Sequence, residues 1–279
     1  MAIVSITETL TYLDEIGSNN EDRIQNVLTE TEKYVSTFCR RTFESTSYSL
    51  ERYNGKGYKA INLKQYPVTI VDRVAIGTRN AIEIKNTNTG TSASVSVSST
   101  GLRLVLDGTA DETVLFATHK TITTVVAAVN ALGDGWSASA SSSDNSSFKS
   151  TDLVSQSASA CINSMVVYLS IPDIAEPEIS VDLDNGQIRL VSGFSRGFKN
   201  VFVDYTAGYT AANMPDDLKM AVKIIVQYMW GKLDENIFGT ELFNIGASGS
   251  TGQRIIFDKA FTMPKEAEAI LSHHKRRLI

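Results

Sequence analysis

Residues 200–230, with the sequence NVFVDYTAGYTAANMPDDLKMAVKIIVQYMW, are the most organised stretch of this chain. Alternating apolar residues from Val201 onward predict a β-strand that ends at Gly208. Pro215 then opens a helix with an acidic first turn, which suits the positive end of the helix dipole. Gly231 predicts the end of that helix. No side chain here is an obvious catalyst, so the stretch is typical of packing and assembly.

The composition is that of an ordinary soluble globular protein. The 279 residues are 42% hydrophobic and 20% charged, and the formal net charge is −5. A negative chain offers no broad field to nucleic acid, so any DNA contact has to be local. Cys39 and Cys161 are too far apart for a metal or redox motif and are expected to be isolated buried thiols in a reducing cytoplasm. The first residues lack a basic segment followed by a sustained apolar run, so we expect no signal peptide, and we expect no membrane-spanning segment because no apolar run is long enough.

The middle of the chain differs in amino-acid composition from its flanks. Only nine residues between Asn86 and Ser170 are charged, about half the density of the whole chain, and Ser, Thr, Ala and Val replace them. We therefore expect a separately folded β-rich insert at 77–180, with strands at 81–85, 93–98 and 102–106. A helix is predicted at 121–132, with Gly133 as its cap. A serine-rich loop is predicted at 137–159.

The flanks predict a core that the insert divides. Ser18 and Glu21 form a capping-box pattern before a helix that ends in the run Cys39-Arg40-Arg41. Asn54-Gly55 and Asn185-Gly186 each predict a β-hairpin, and Pro67 introduces a strand at 68–76. The fold class is therefore α+β, a mostly helical core with hairpins interrupted by a small β-rich α+β domain. The core occupies residues 1–76 and 181–237, and residues 238–279 form a glycine-rich arm, a short strand at 254–257 and a helix from Pro264.

Candidate chemical sites are weak throughout. Adjacent His273 and His274 diverge on a helix and cannot share one metal ion comfortably. The glycine-rich run 246–252 lacks the lysine of a phosphate loop, and the acidic turn at 182–186 lacks the glutamate of a calcium loop. Asp216-Asp217 is better explained by the helix dipole than by acid–base catalysis. We therefore expect no enzyme activity, no cofactor and no metal.

The flanks together resemble the tailed-phage head–tail connector, or adaptor, family. Four segments within 3–76 and 180–232 carry the resemblance: Phe38-Cys39-Arg40-Arg41-Thr42-Phe43; Glu51-Arg52-Tyr53-Asn54-Gly55-Lys56-Gly57 with Leu63 and Tyr66-Pro67-Val68; Asn200-Val201 with Asp204-Tyr205-Thr206-Ala207-Gly208-Tyr209; and Pro215-Asp216-Asp217-Leu218 before a helix that ends near Trp230. The large insert departs from the compact members of that family.

The resemblance implies a structural virion protein at the head–tail interface, assembled in the host cytoplasm. Such a protein forms a ring with copies of itself, usually twelve, that docks under the portal protein, extends the channel for passing DNA without sequence-specific contact, and receives the next neck or tail-completion protein. No membrane is involved. The residues expected to build the ring core are Ile24, Leu28, Phe38, Leu218, Ile225 and Trp230. The residues expected to dock on the portal, in part by strand addition, are Arg254, Ile255, Ile256, Phe257, Lys275, Arg276 and Arg277.

Two other interpretations stay open at this stage. The serine- and threonine-rich insert is compatible with a module that binds a host surface or a glycan, carried on a structural scaffold. Another neck component, such as a stopper or a tail terminator, is also compatible, although those proteins are usually β-barrels and this chain predicts two long helices. If the connector interpretation holds, the insert lies outside the ring, because about a hundred extra residues do not fit in a DNA channel.

Overall fold

The computed structural model describes residues 3–17, 20–90, 92–108, 110–234, 240–244, 253–257 and 263–276. Of these residues, 31% are helical and 36% lie in strands. The α+β class is confirmed, but the mostly helical core is wrong, because the flanks contribute sheets as well as helices. The helices are α1 (Ile6–Leu13), α2 (Glu21–Cys39), α3 (Ile122–Ala131), α4 (Asp216–Asp234) and α5 (Lys265–His274). None of them has both the length and the apolar character needed to cross a bilayer.

The predicted strand at Val201 is the centre of an antiparallel sheet. This strand, β13 (Gly197–Ala207), lies between β1 (Thr46–Gly55) and β3 (Val68–Ile76). Val201 is paired with Tyr53 on one side and with Ile76 on the other. Both neighbours of β13 in this sheet therefore come from residues before 77, while β13 itself follows residue 180.

The predicted hairpin at Asn54-Gly55 is wrong. Strand β1 pairs with β13, while β2 (Ala60–Asn62) joins β12 (Gln187–Leu190) in a different sheet. Gly55 serves close packing instead of a turn, since a Cβ atom there would lie 1.8 Å from the carbonyl oxygen of Ser195. The hairpin at Asn185-Gly186 is confirmed, with β11 (Ile179–Asp182) pairing with β12.

The helices of the flanks pack together beside this sheet. Helix α4 lies against α2 and α5, and apolar residues such as Leu28, Val222 and Leu271 form their shared core. Helix α2 begins at Glu21 with Asn20 as its N-cap, which replaces the predicted Ser18; that residue lies outside the described part. Helix α4 continues past the predicted stop at Gly231, because a glycine in a helix weakens it without ending it.

Residues 78–172 have a hydrophobic core of their own. One sheet has the order β10-β4-β8 and the other β7-β6-β5-β9, and α3 packs mainly on β8. The predicted helix and three strands are confirmed, but the serine-rich loop contains β8 and the start of β9. These strands are β4 (Thr78–Asn86), β5 (Ala93–Val97), β6 (Gly101–Leu106), β7 (Ala110–Leu115), β8 (Trp136–Ala140), β9 (Gln156–Ala160) and β10 (Val167–Pro172).

The C-terminal part contains a hairpin and a helix. Strand β14 (Thr240–Asn244) pairs antiparallel with β15 (Gln253–Phe257). The strand predicted at 254–257 is confirmed, and β14 was not predicted. Most of the predicted glycine-rich arm, at 238–239 and 245–252, lies outside the described residues. Pro264 precedes α5, as predicted.

Candidate functional site

The Cys39-Arg40-Arg41 run forms the joint between the helices and the sheet. Arg40 takes the left-handed conformation that ends α2, and the Cys39 thiol is fully buried. Arg41 is 4% exposed and its guanidinium lies over the rings of Phe43 and Tyr66, at 4.9 and 3.8 Å from their centroids. It also donates a hydrogen bond to the carbonyl oxygen of Tyr66. This segment of the resemblance, Phe38 to Phe43, is therefore a packing motif.

The residues after α5 are attached to that joint. The backbone N–H of Arg276 donates to the carbonyl oxygen of Cys39 at 2.9 Å. The carbonyl oxygen of Lys275 accepts a hydrogen bond from the hydroxyl of Tyr66 at 3.1 Å, and the Lys275 ammonium lies 3.9 Å from the centroid of the Phe38 ring. Lys275 is exposed and Arg276 half-buried, so both remain on the surface of the subunit.

Of the other residues expected to dock on the portal, Arg254 to Phe257 lie in β15, on the hairpin between α4 and α5. The structure therefore does not bring them together with Lys275 and Arg276 in one element. Arg277 lies outside the described residues. The strand that pairs with β15 is β14 of the same chain, so only one side of β15 is occupied by the hairpin.

The residues predicted for the ring core lie mainly inside one subunit. Five of the six are buried, and the sixth, Phe38, is half-buried under the Lys275 ammonium. Ile24 and Trp230 pack with Leu10 of α1, which the sequence reasoning missed. A capping box made by Ser5 and Glu8 begins α1 and was a signal that could have found it. The buried members are Ile24, Leu28, Leu218, Ile225 and Trp230.

Glu51 is the centre of a buried polar network between β1 and β13. Its carboxylate accepts hydrogen bonds from the hydroxyls of Tyr205 and Tyr53, at 2.5 and 2.6 Å, and from the Lys64 ammonium at 2.6 Å. Burial opposes the charge of Glu51, but these hydrogen bonds outweigh burial, so the pKa of Glu51 is lowered. Burial raises the pKa of Tyr53 and of Tyr205, and the charge of Glu51 adds to both effects. The network thus joins β1, β13 and Lys64 through hydrogen bonds to one carboxylate.

Arg73 connects residues 78–172 with the flanking sheet. Its guanidinium donates two hydrogen bonds to Asp152 and one, from Nε, to Asp204 at 2.8 Å. Asp204 also accepts from the backbone N–H of Leu50 at 2.6 Å. The side chains of Arg73, Asp152 and Asp204 are 18%, 11% and 17% exposed, so little water competes for these contacts. Sequence reasoning found no sign of this link, since the residues are far apart in the chain.

The described residues contain no group of His, Cys, Asp and Glu that could hold a metal ion. His274 Nε2 lies 2.9 Å from an Asp217 carboxylate oxygen, so this histidine joins the end of α5 to the start of α4. The acidic turn before Gly186 is closed internally, because Asp182 accepts hydrogen bonds from the backbone and side chain of Asn185. Each of these groups is engaged in holding an element in place.

A comparison with protein families gives one match. The model of the family described as head completion protein matches residues 117–277, which extend from just before α3 to just after α5. The match omits α1, α2 and the strands β1 to β7. No curated protein sequence matches the chain.

Two solved structures share low similarity with the chain. One, described as the neck of an empty gene transfer agent particle, is 13% identical, with 99% of this chain and 91% of that chain covered and a TM-score of 0.36. The other, described as the virion of a native gene transfer agent particle, is 11% identical with the same coverage and a TM-score of 0.35. TM-scores this low do not establish a common fold.

The family match agrees with the resemblance to head–tail connectors, which is confirmed at the level of a phage connector or head completion protein. It spans more than half of the chain and includes β13, α4 and α5, the elements around which the flanks are organised. The chain therefore belongs to the head completion protein family.

Proposed function

We propose that this chain is a non-enzymatic connector, or adaptor, subunit of the virion neck. Copies of it form a ring, of twelve subunits in our hypothesis, that docks under the portal protein and extends the DNA channel. The ring then offers a platform to the next neck or tail-completion protein. The observation that carries the proposal is the head completion match over residues 117–277. A heterologous interface that closes by rotation gives a ring without free ends.

The portal contact is assigned to the hairpin of β14 and β15. The hairpin lies between α4 and α5, and both helices are packed in the subunit core, so its two ends are anchored. A two-stranded sheet has an outer edge on each strand, where a strand of another protein can add by backbone hydrogen bonds. The exposed cation Lys275 and the half-buried Arg276 line one surface pocket with Phe38 and Arg40 at the end of α2. These two cations are the proposed second docking element.

Residues 77–180 are assigned to an inserted domain on the outside of the ring. Their two sheets and separate hydrophobic core support this assignment. The points where the chain enters and leaves this region also lie together, because the backbone N–H of Asp173 donates to the carbonyl oxygen of Gly77 at 3.1 Å. A domain that enters and leaves at one place adds mass without altering the path of the host chain. It is available there to neck, collar or tail proteins.

The portal contact is tested by an internal deletion. Removing everything after residue 240 would also remove α5, whose Ala267 and Leu271 are fully buried in the core, and so would confuse docking with folding. Deleting residues 240–257 alone keeps α5 and leaves 235–239 and 258–262 as the connection. We expect this variant to melt cooperatively and to lose binding to purified portal rings.

Two further variants complete the test. Ile255→Pro removes a backbone donor from β15 and should weaken portal binding without shortening the chain. Lys33→Ala, on the exposed face of α2, is the control that should bind normally. Unchanged portal binding by the folded deletion variant would refute the assignment of the hairpin.

A further inference from the structure

Positive charge is concentrated in a tip formed by two neighbouring segments, one at the end of β1 and one at the start of β13. We name residues 54–59 and 189–199 the basic tip. The segments are joined by backbone hydrogen bonds, from Gly57 N–H to the Phe194 carbonyl oxygen and from Phe194 N–H to the Tyr58 carbonyl oxygen, both at 2.9 Å. The five exposed cations of the tip are Lys56, Lys59, Arg189, Arg196 and Lys199.

The charge of the tip is opposite to that of the rest of the chain. Five of the 26 Lys and Arg residues and none of the 31 Asp and Glu residues lie in the tip, so the remainder carries a formal charge of −10 against −5 for the whole. Within the described residues, no ion pair joins Lys56, Lys59 or Arg196 to a carboxylate. Arg189 acts on Asp182 of the paired strand: the hydrogen bonds from Asn185 lower the pKa of the Asp182 carboxyl, and the charge of Arg189 adds to that effect.

The tip also exposes apolar side chains. Tyr58, Val191 and Phe198 are 67%, 73% and 80% exposed. Aromatic residues and arginine are enriched at the centres of protein interfaces, where their burial supplies most of the binding energy. Binding of a phosphate backbone requires the cations but gives no role to a protruding phenylalanine. A protein surface with negative charge and an apolar side chain is the better complement.

Such a surface exists on the same chain at the turn between α1 and α2. We name residues 14–16 and 20–22 the acidic corner. It contains Asp14, Glu15, Glu21 and Asp22 and no cation, and Ile16 in its middle is 70% exposed. The nearest arginine, Arg23, lies with its guanidinium 5.3 Å from the centroid of the Trp230 ring, over the helical core. The corner is therefore acidic around one apolar side chain.

The tip and the corner lie on different parts of the subunit. The corner is at the start of the 19-residue α2, about 28 Å along the helix from Cys39. The tip follows β1 in the sheet, where Lys56 and Tyr58 line one pocket with Arg276, the residue whose backbone N–H donates to the Cys39 carbonyl oxygen. One subunit thus offers two different, complementary surfaces, which is the requirement for a head-to-tail contact.

From this charge complementarity we propose that the basic tip of one subunit docks on the acidic corner of the next copy of this chain. The inference rests on the proposed ring and names the surfaces that close it. Phe198 and Tyr58 cover Ile16, and the surrounding cations of the tip meet the carboxylates of the corner. Unlike charges around an apolar centre also set the direction of assembly, because tip against tip and corner against corner are repelled.

The test is an exchange of charge between two variants. The tip variant carries Lys56→Glu, Lys59→Glu and Arg196→Glu, which make the tip net negative, and the corner variant carries Glu15→Lys, Glu21→Lys and Asp22→Lys, which make the corner net positive. We expect each alone to lose self-association at least tenfold, as measured by mass photometry and by cross-linking in solution and on portal rings. An equimolar mixture should recover it, because both tip–corner contacts of an alternating ring are then attractive. Circular dichroism confirms that each variant is folded.

A matched control and two contrary outcomes complete the experiment. Lys33→Glu with Lys120→Glu and Lys265→Glu makes the same change in net charge as the tip variant, at exposed cations outside the tip, and should assemble as the wild type does. If the wild-type chain makes no self-contact in solution or on the portal, the proposed ring itself fails. If the wild type and the tip variant both assemble, the tip–corner contact is overturned while the proposed ring stands. If the tip variant assembles but no longer binds a short DNA duplex that the wild type binds, the tip is a DNA-binding surface instead.

Discussion

Arg73 donates hydrogen bonds to both carboxylate oxygens of Asp152, from Nη1 at 3.1 Å and Nη2 at 3.0 Å. Arg73 lies in β3 of the flanking sheet and Asp152 lies within residues 78–172, and Asp204 of β13 binds the same guanidinium. Because the three side chains are mostly buried, the loss of one partner leaves a charge that water solvates poorly. This contact is therefore a charged and mostly buried connection between residues 78–172 and the flanking sheet.

Asp152→Ala should lower the free energy of unfolding by about 2 kcal/mol, since hydrogen bonds to charged groups in poorly hydrated sites carry that order of energy. Chemical denaturation measures the change. Asp111→Ala is the matched control, because Asp111 also receives a two-point contact from an arginine, Arg103, but both side chains are exposed. An equal loss in the two variants would contradict the role of burial.

Two glycines should respond to alanine in opposite directions. Gly55→Ala places a Cβ atom against the Ser195 carbonyl oxygen and should destabilise the fold by about 2 kcal/mol or more, because backbone must move. Gly231→Ala lies inside α4 with no atom within 4 Å of the new Cβ and should stabilise by about 0.5–1 kcal/mol. Thermal and urea unfolding of both variants check the signs. A stable Gly55→Ala variant would refute the close approach.

Acid should weaken the fold in part through Glu51. Its pKa is lowered in the folded protein from an ordinary value of 4.5, so the charged form stabilises the fold above that pH. This contribution disappears as the pH falls through the lowered pKa. Glu51→Gln should therefore be less stable at pH 7 and should lose less of its remaining stability than the wild type between about pH 5 and pH 3. Parallel slopes of melting temperature against pH would count against the network.

The two thiols should be unreactive while the protein is folded. Cys39 and Cys161 are both buried, and burial raises the pKa of each to about 11. The thiolate is the reactive form, so a thiol reagent at pH 8 should modify both residues only after denaturant is added. Mass spectrometry gives the site and the extent of labelling. Rapid labelling of Cys161 without denaturant would show that the core of residues 78–172 opens easily.

Excision of residues 78–172, with Gly77 joined to Asp173, tests the assignment of the insert. We expect the remaining flanks to fold and to assemble, since the joined residues are already in hydrogen-bond contact and Arg73 keeps Asp204 as a partner. A second excised chain carries Arg73→Met, which removes the guanidinium whose partner Asp152 has been deleted. Failure of both excised chains to assemble, although folded, would place the insert within the ring contacts.

The parts of this fold that sequence predicts are those in which nearby residues decide the structure. The strand at Val201, the helix after Pro215 and the hairpin at Asn185-Gly186 follow from local spacing and turn chemistry. The Asn54-Gly55 pair has the same turn chemistry, yet the close approach of Ser195 explains its glycine. Local sequence does not contain that contact, because the two residues meet only through the pairing of β1 with β13.

The candidate sites show the same division. Helical spacing predicts that apolar residues such as Ile24 and Leu218 are buried. Because they are buried inside one subunit, contacts between subunits have to use other surfaces. The strands β8 and β9 consist largely of serine and alanine, which have low strand propensity, so tertiary pairing rather than local preference creates them. Arg73 could not be assigned in advance because its two partners come from distant segments of the chain.

The hydrogen bond between Gly77 and Asp173 also bears on the order of folding. Pairing β3 with β13 requires the chain to close a loop that contains all of residues 78–172. Once those residues have folded, that loop is shortened to the segment after Asp173, and the entropy lost on closing it falls accordingly. Residues 78–172 should therefore fold first. Their folding brings Gly77 and Asp173 together and so places β3 close to β13, although the two strands are far apart in sequence.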